Sequence, residues 1–161
     1  MKVVILLLAL LMLTGCSQSE VFETVTDELA VSTVAQPRQI RFDLAQDTLL
    51  PAMETDEGQL YLCGDFDVMI QTMDSGDLNA TVYQICGFYP DDLTFLQTGT
   101  GEIDQYEFVW TSATDGGQQI GRATILDDGN YHYSMSATVD SKLMEEYQEI
   151  WNGIFESFTL D

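Results

Sequence analysis

The pattern of hydrophobic and polar positions predicts a series of short β-strands. Ile40, Phe42 and Leu44 alternate with polar residues, a period of two that is typical of a strand with one buried face. Short turns, most of them with glycine, separate the later strands, and turns of this kind join antiparallel neighbours. On these grounds we predict strands at residues 40–44, 59–63, 66–73, 93–97, 106–110, 118–126 and 131–139.

A first helix is predicted between the early and the late strands. Leu78, Val82 and Ile85 lie at helical spacing. Asp77 is a suitable N-cap, and Gly87 can close the helix in the left-handed conformation.

The clearest predicted helix follows Asp140 or Ser141, either of which can serve as its N-cap. Gly153 lies within this helix, which suggests close packing against a neighbour. The apolar stripe consists of Leu143, Met144, Tyr147, Ile150, Trp151, Ile154 and Phe155. The predicted fold class is therefore α+β: an antiparallel β-sheet meander covered by helices, including a C-terminal amphipathic helix.

The start of the chain has a different pattern. A lysine precedes an unbroken apolar run that is too short to span a bilayer. The run leads into Leu13-Thr14-Gly15-Cys16. These four residues resemble a bacterial lipobox, which implies that residues 1–15 are a lipoprotein signal peptide and that Cys16 receives a lipid anchor. An ordinary secretory leader with a chance cysteine is the alternative.

The lipobox interpretation divides the chain into three parts. After the leader, residues 16–37 are the lipidated cysteine and a flexible tether rich in Ser, Gln, Thr and Glu. Residues 38–161 form a single α+β domain. We expect the acylated Cys16 to hold the protein at the bacterial cell membrane or cell envelope, with the domain facing outside the cytoplasm.

Charge excludes one class of partner. The sequence has 27 acidic and 5 basic residues, a formal net charge of -22. Such a surface repels phosphate backbones, so nucleic-acid binding is excluded. It also repels anionic lipid headgroups, so membrane attachment has to come from the lipid rather than from a basic patch.

Two further cysteines, Cys63 and Cys86, are candidates for a disulfide. Outside the cytoplasm a pair of cysteines favours a disulfide. The first helix runs back towards the turn at Gly64, which would bring Cys86 to the same end of the domain as Cys63. Two free thiols are the alternative.

His132 is the only histidine, which rules out a metal site built on two histidines. We expect a surface or sheet-face residue rather than a catalytic one, so that His132→Ala leaves the fold nearly unchanged. For Arg122, two interpretations stay open: an ion pair on the strand face, or a docking spot for an acidic ligand. The aromatic residues Tyr106, Phe108, Trp110, Tyr131, Tyr133 and Trp151 are expected in the core rather than on a ligand-binding surface.

Paired carboxylates occur in loops. Asp91-Asp92 and Asp127-Asp128 are interpreted as turn residues, because sequence adjacency alone does not place two acids across a cleft. Residues 53–58, METDEG, form an acidic turn whose ligand order does not match an EF-hand loop. The sequence has no phosphate loop, nucleophile elbow or dinucleotide fingerprint, so we assign no catalytic residue, metal or cofactor.

The order of elements and the ending IFESFTL, residues 154–160, resemble the PsbP-like fold. Bacterial relatives of that fold include the DcrB-like and LpqN-like lipoproteins. The resemblance spans residues 38–160 and implies a non-enzymatic protein that binds other proteins or helps to assemble complexes. It transfers no active-site residue.

We therefore expect a membrane-anchored extracytoplasmic lipoprotein that acts as a non-enzymatic binding or assembly module of unknown ligand, with an unknown extracytoplasmic protein as a candidate partner. Two alternatives stay open: a small extracellular hydrolase that uses loop carboxylates, and a cation-binding lipoprotein.

Overall fold

The structure, a computed structural model, describes residues 35–44 and 50–161. Leu13, Thr14, Gly15 and Cys16 lie outside the described residues, as does most of the predicted tether. Within the described ranges no helix is long and apolar enough to cross a membrane.

Seven of the described strands form one antiparallel sheet. They are β2 (Met53–Glu54), β3 (Gly58–Leu62), β4 (Phe66–Asp74), β5 (Thr94–Gly99), β6 (Asp104–Thr114), β7 (Gly117–Asp127) and β8 (Tyr131–Asp140). Their order across the sheet is β2-β3-β4-β8-β7-β6-β5. The meander therefore runs from β5 to β8, and the connection between β4 and β5 carries the chain to the far edge of the sheet.

A separate two-stranded ladder joins the start of the domain to its end. Strand β1 (Ile40–Arg41) pairs with β9 (Thr159–Leu160) in antiparallel register. The predicted strand at residues 40–44 is thus shorter than expected, although Phe42 still packs against the core. Further upstream, the backbone oxygen of Ala35 accepts a hydrogen bond from the Tyr131 hydroxyl at 2.7 Å.

The first helix, α1 (Leu78–Cys86), has the predicted caps. The Asp77 carboxylate accepts a hydrogen bond from the backbone N–H of Asn79 at 3.0 Å. Gly87 ends the helix with φ 79°, a left-handed conformation that favours glycine. Local sequence therefore determines both ends of α1.

The second helix, α2 (Met144–Ser157), begins later than the sequence suggests. Its N-cap is Leu143, which has no side-chain capping bond, rather than Asp140 or Ser141. The Asp140 carboxylate instead accepts from the backbone N–H of Lys142 at 2.9 Å, because a turn precedes the helix.

Two residues of α2 differ from expectation. Gly153 has no atom within 4 Å of the position that a Cβ would occupy, so the expected close packing is absent. Ile150, placed in the apolar stripe, is 43% exposed. The buried residues of α2 are Trp151, Ile154 and Phe155. The helix therefore uses a narrower face than its sequence offers.

The pairing register divides the sheet into two faces, and each face carries one helix. Tyr133 and its partner Leu126 belong to the core cluster that includes α2. His132 and its partner Asp127 point to the other face, where Thr81 of α1 lies. The buried cluster on the α1 side consists of Val82, Phe108, Trp110, Ala123 and Ile125. The α+β class with an antiparallel sheet and two helices is thus confirmed, with the sheet lying between the helices.

The predicted disulfide is wrong in this structure. Cys63 and Cys86 are free, and Cys63 packs against the cluster on the α2 side of the sheet. Cys86 packs against the cluster on the α1 side, where its thiol donates to the backbone oxygen of Val82 at 3.2 Å. The sheet separates the two cysteines because α1 crosses to the opposite face.

Candidate functional site

His132 lies in a line of three side chains, of which Thr81 and His132 are buried and Asp127 is partly exposed. Its Nδ1 is 2.7 Å from the Thr81 hydroxyl, and its Nε2 is 3.4 Å from a carboxylate oxygen of Asp127. With the proton on Nε2, the imidazole accepts from Thr81 and donates towards Asp127. The residue is only 1% exposed, so the surface position allowed from sequence is wrong and the sheet-face position is correct.

The three side chains do not form an accessible catalytic triad. Thr81 lies on the buried side of α1, facing the sheet, where no substrate carbonyl can reach its hydroxyl. Asp127 is engaged further, since it accepts from the backbone N–H of Gly129 at 2.8 Å and lies 3.4 Å from the Ser75 hydroxyl. The arrangement links α1, the sheet and the β7–β8 turn, and its role is structural.

Asp128 organises the same turn. Its carboxylate accepts from the backbone N–H groups of Asn130 at 2.9 Å and Tyr131 at 2.8 Å, and from the Tyr133 hydroxyl at 2.9 Å. Burial raises the pKa of Asp128, but these hydrogen bonds and the charge of Arg38 outweigh burial, so the pKa is lowered overall. The turn interpretation of Asp127-Asp128 is therefore confirmed.

The other loop carboxylates are exposed. Asp91 and Asp92 lie in a short 3-10 turn before β5. Residues 53–58 form the β2–β3 hairpin, in which the Thr55 hydroxyl lies 3.2 Å from the backbone nitrogen of Gly58. In the described parts of the chain, no three His, Cys, Asp or Glu side chains form a group able to hold a metal ion.

Of the two interpretations left open for Arg122, the structure shows the ion pair on the strand face. Its guanidinium lies 3.3 Å from the Glu107 carboxylate and donates to the side-chain oxygen of Asn152 at 2.9 Å. It also lies over the Phe155 ring, 4.5 Å from the centroid. Arg122 thus ties α2 to the middle of the sheet, and its charge is already partnered.

A groove of about 480 Å³ runs between the segment 37–42 and the end of β4. Three carboxylates line it, those of Asp56, Glu57 and Asp74, together with Arg38 and Tyr131. Arg38 donates to the backbone oxygen of Asp161 at 2.8 Å, which holds its side chain at the end of the groove.

A second concave surface lies on the half of the sheet that α2 leaves uncovered. We call it the open sheet face and define it by Thr94, Leu96, Val109, Thr111 and Ile120, which share the α2 side of β5, β6 and β7 by register. Leu96 is 57% exposed and Val109 is 48% exposed. Two hollows of about 420 Å³ and 90 Å³ meet there and share Thr94 and Val109. Sequence reasoning missed this surface because it depends on how far α2 extends across the sheet.

The open sheet face ends at a free strand edge. Among the described strands, β5 is the last of the sheet and pairs only with β6. Across residues 35–44 and 50–161, no backbone group is hydrogen-bonded to the outer side of β5. The regular pairing covers Thr94 to Gln97, and the register shifts before Gly99.

Comparison with known proteins bears on the fold. No protein-family model and no curated protein matches the sequence. The cyanobacterial PsbP of Synechocystis sp. PCC 6803 matches in structure with a TM-score of 0.50 and 8% identity, over 70% of this chain and 79% of that chain. The chain therefore has an α+β fold similar to that of PsbP.

Two other solved structures are similar to lower degrees. A protein of unknown function from Pseudomonas aeruginosa has 12% identity and a TM-score of 0.43, over 74% of this chain and 81% of that chain. The Ran-binding protein Mog1p of Saccharomyces cerevisiae has 7% identity and a TM-score of 0.49, over 78% of this chain and 96% of that chain.

Proposed function

We propose that the protein is an extracytoplasmic lipoprotein, anchored to the bacterial cell membrane or envelope through Cys16, whose domain is a non-enzymatic binding or assembly module. The observation that carries the binding role is the open sheet face, where Leu96, on the edge strand β5, and Val109, on the neighbouring strand β6, are both exposed. Apolar surface left in this position is typical of an interaction site.

The anchored location rests on the sequence. The short apolar run, the lipobox-like Leu13-Thr14-Gly15 and the following Cys16 together favour lipidation. The strongly acidic chain is repelled by anionic lipids, so charge does not attach it to the membrane. An acyl anchor on Cys16 would provide this attachment.

We also propose a family for the domain. We place the domain with the PsbP-like lipoproteins of the DcrB-like and LpqN-like kind, with α2 as their C-terminal amphipathic helix. The fold similarity to cyanobacterial PsbP supports the architecture, and fold similarity alone does not transfer a partner.

The location is tested by fractionating cells that produce the full chain or its Cys16→Ala variant. We expect the full chain in the membrane fraction and its Cys16→Ala variant as an unlipidated form that is no longer processed. Cys63→Ala is the matched control and should behave as the full chain does. A Cys16→Ala protein that fractionates and is processed like the parent would contradict the proposed anchor.

The binding role is tested by photo-crosslinking in cells, with a crosslinking residue at position 96 or at position 62. Leu62 is similarly exposed, at 53%, but lies on β3. We expect a discrete protein adduct from position 96. If no exposed position tested gave an adduct and the protein turned over a defined substrate, the proposal of a non-enzymatic module would be contradicted.

One observation favours the hydrolase as a second candidate. The groove beside the segment 37–42 has three carboxylates along its wall, and paired acids are the chemistry of glycoside hydrolysis. Turnover of a glycoside by the full chain, abolished by Asp74→Asn and not by Asp91→Asn, would support this candidate. Equal turnover by the two variants would exclude the groove as the active site.

A further inference from the structure

We propose that β5 receives an extended, basic segment of a partner protein as an additional strand, with the open sheet face binding the apolar side chains of that segment. This inference rests on the proposed binding role and specifies its surface and the chemistry of its partner. Three independent features of β5 point to it: a free backbone edge, apolar side chains on both faces, and carboxylates at both ends.

The first feature is the unprotected edge. Natural sheets protect their edges with charged residues, prolines, β-bulges or very short strands. Strand β2, at the other edge, has only two residues. Strand β5 has six and reads TFLQTG, without a charge or a proline. The register shift between Gln97 and Gly99 interrupts only the end of β5, so the outer N–H and C=O groups of residues 94–97 are the ones available to pair with an incoming strand.

The second feature is apolar surface on both sides of that edge. On one side Leu96 is 57% exposed. It lies on the same face as Thr94, two residues before it on β5, and Thr94 pairs with Val109 of β6. On the other side Phe95 is half-buried and stacks on Tyr106 with ring centroids 5.5 Å apart. An added strand places alternate side chains on each side, so apolar residues at every second position can cover Leu96.

The third feature is charge. Asp91 and Asp92 precede β5, and Glu102 and Asp104 follow its turn. Glu102 lies 3.7 Å from the Arg38 guanidinium but is 91% exposed. Lysine or arginine residues at the two ends of an incoming segment would therefore meet carboxylates.

The same charge argues against a second copy of this chain as the occupant. A copy would bring another formal charge of -22 to the edge, and its own β5 would bring the same flanking carboxylates. A basic segment of a different protein would instead bring positive charges to these carboxylates. We therefore assign the edge to a protein partner with an extended basic segment.

The test uses the full-length protein in non-ionic detergent and a fluorescent peptide in which valine alternates with threonine between paired lysines. Fluorescence anisotropy should show saturable binding. Leu96→Lys should weaken it by about tenfold, the effect of losing one leucine contact. The matched control Leu62→Lys adds the same charge at a similarly exposed site on β3 and should leave the affinity unchanged.

Two further peptides separate the contributions. A peptide with glutamates in place of the lysines should not bind, because it meets like charge. A lysine peptide that is N-methylated at alternate residues should bind less tightly, because it loses strand hydrogen bonds. Val109→Thr provides a milder variant if Leu96→Lys does not fold, and it should reduce affinity in the same direction.

Several results would overturn the inference. These are no binding of the lysine peptide, equal binding by the Leu96→Lys and Leu62→Lys variants, or self-association of the protein that Leu96→Lys abolishes. If the peptide fails but position 62 crosslinks a protein in cells, the surface is wrong and the binding role stands. The Cys16→Ala fractionation tests the anchor independently of every peptide result.

Discussion

The hydroxyl of Thr81, on α1, lies 2.7 Å from Nδ1 of His132, on β8. This hydrogen bond crosses the interface between a helix and the sheet in a region where both residues are buried. Buried polar groups are costly when they lose a partner, because water cannot replace it. The contact therefore holds α1 in one position on its face of the sheet.

Thr81→Val should destabilise the protein by about 1–3 kcal/mol, because it leaves a ring nitrogen of His132 without a partner at nearly constant shape. Urea unfolding followed by circular dichroism measures the change. Thr98→Val, at an exposed site on β5, is the matched control and should change stability little. His132→Ala should cost at least as much as Thr81→Val, contrary to the expectation from sequence. A neutral Thr81→Val would show that the hydrogen bond adds nothing to stability.

Gly121→Ala should also be destabilising. A Cβ at this position would overlap atoms of the Trp110 indole ring. Trp110 would have to move within the α1-side cluster, and such overpacking costs about 1–3 kcal/mol. Gly76→Ala, where no atom lies within 4 Å of the Cβ position, is the control. In Gly121→Ala the thermal unfolding temperature should fall and the near-ultraviolet signal of tryptophan should change. If neither measurement changed, the close packing of Trp110 against Gly121 would be contradicted.

Gly153→Ala should stabilise the protein. The residue is exposed inside α2, with nothing near its Cβ position. Alanine is favoured over glycine in a helix interior by about 1 kcal/mol. The denaturant midpoint should rise without a change in the unfolding slope. A lower midpoint would indicate that something packs against this surface of α2.

Asp128→Asn should destabilise the protein at neutral pH, by about 1–2 kcal/mol, because an amide nitrogen cannot accept from the Tyr133 hydroxyl. The folded pKa of Asp128 is lowered, so its ionised form stabilises the protein fully above the ordinary value of about 3.9. That contribution is lost as the pH falls from this value through the folded pKa.

The stability difference between the parent and Asp128→Asn should therefore shrink below about pH 4. Unfolding curves measured from neutral to acidic pH test this. Asp91→Asn, at an exposed turn, should show no comparable dependence. A difference that grows on acidification would have the wrong sign for a lowered pKa.

The thiols of Cys63 and Cys86 should be free and slow to react. Burial raises the pKa of both; the charge of Asp67 adds to the effect at Cys63, and backbone hydrogen bonds oppose it at Cys86. Less thiolate is then present at pH 8 than in an ordinary cysteine. Alkylation of the unfolded chain without reductant, followed by peptide mass mapping, should label both residues. A Cys63–Cys86 linked peptide would contradict the structure.

Local signals predicted much of this fold. Alternation and Gly-containing turns placed β3 to β8 close to their observed positions, and Asp77 and Gly87 identified both ends of α1. Each of these features depends on residues that are close together in sequence. The same is true of the Asp127-Asp128 turn.

The remaining features depend on contacts between distant residues. The face of the sheet that α1 covers decides whether His132 is buried and whether Cys63 can reach Cys86, and no local pattern specifies that face. The reach of α2 across the sheet likewise decides that Val109 and Ile150 stay exposed. The candidate binding surface was therefore invisible in the sequence, although all of its residues except Thr111 fell within predicted strands.

The ladder between β1 and β9 has a consequence for the order in which a new chain becomes structured. Ile40 pairs with Leu160, so β1 cannot pair until residues 159–160 have been synthesised. Synthesis runs from the N-terminus, and contacts between residues so far apart in sequence carry a large loop-closure cost. We therefore expect the β1–β9 ladder to form later than the local hairpins of the seven-stranded sheet.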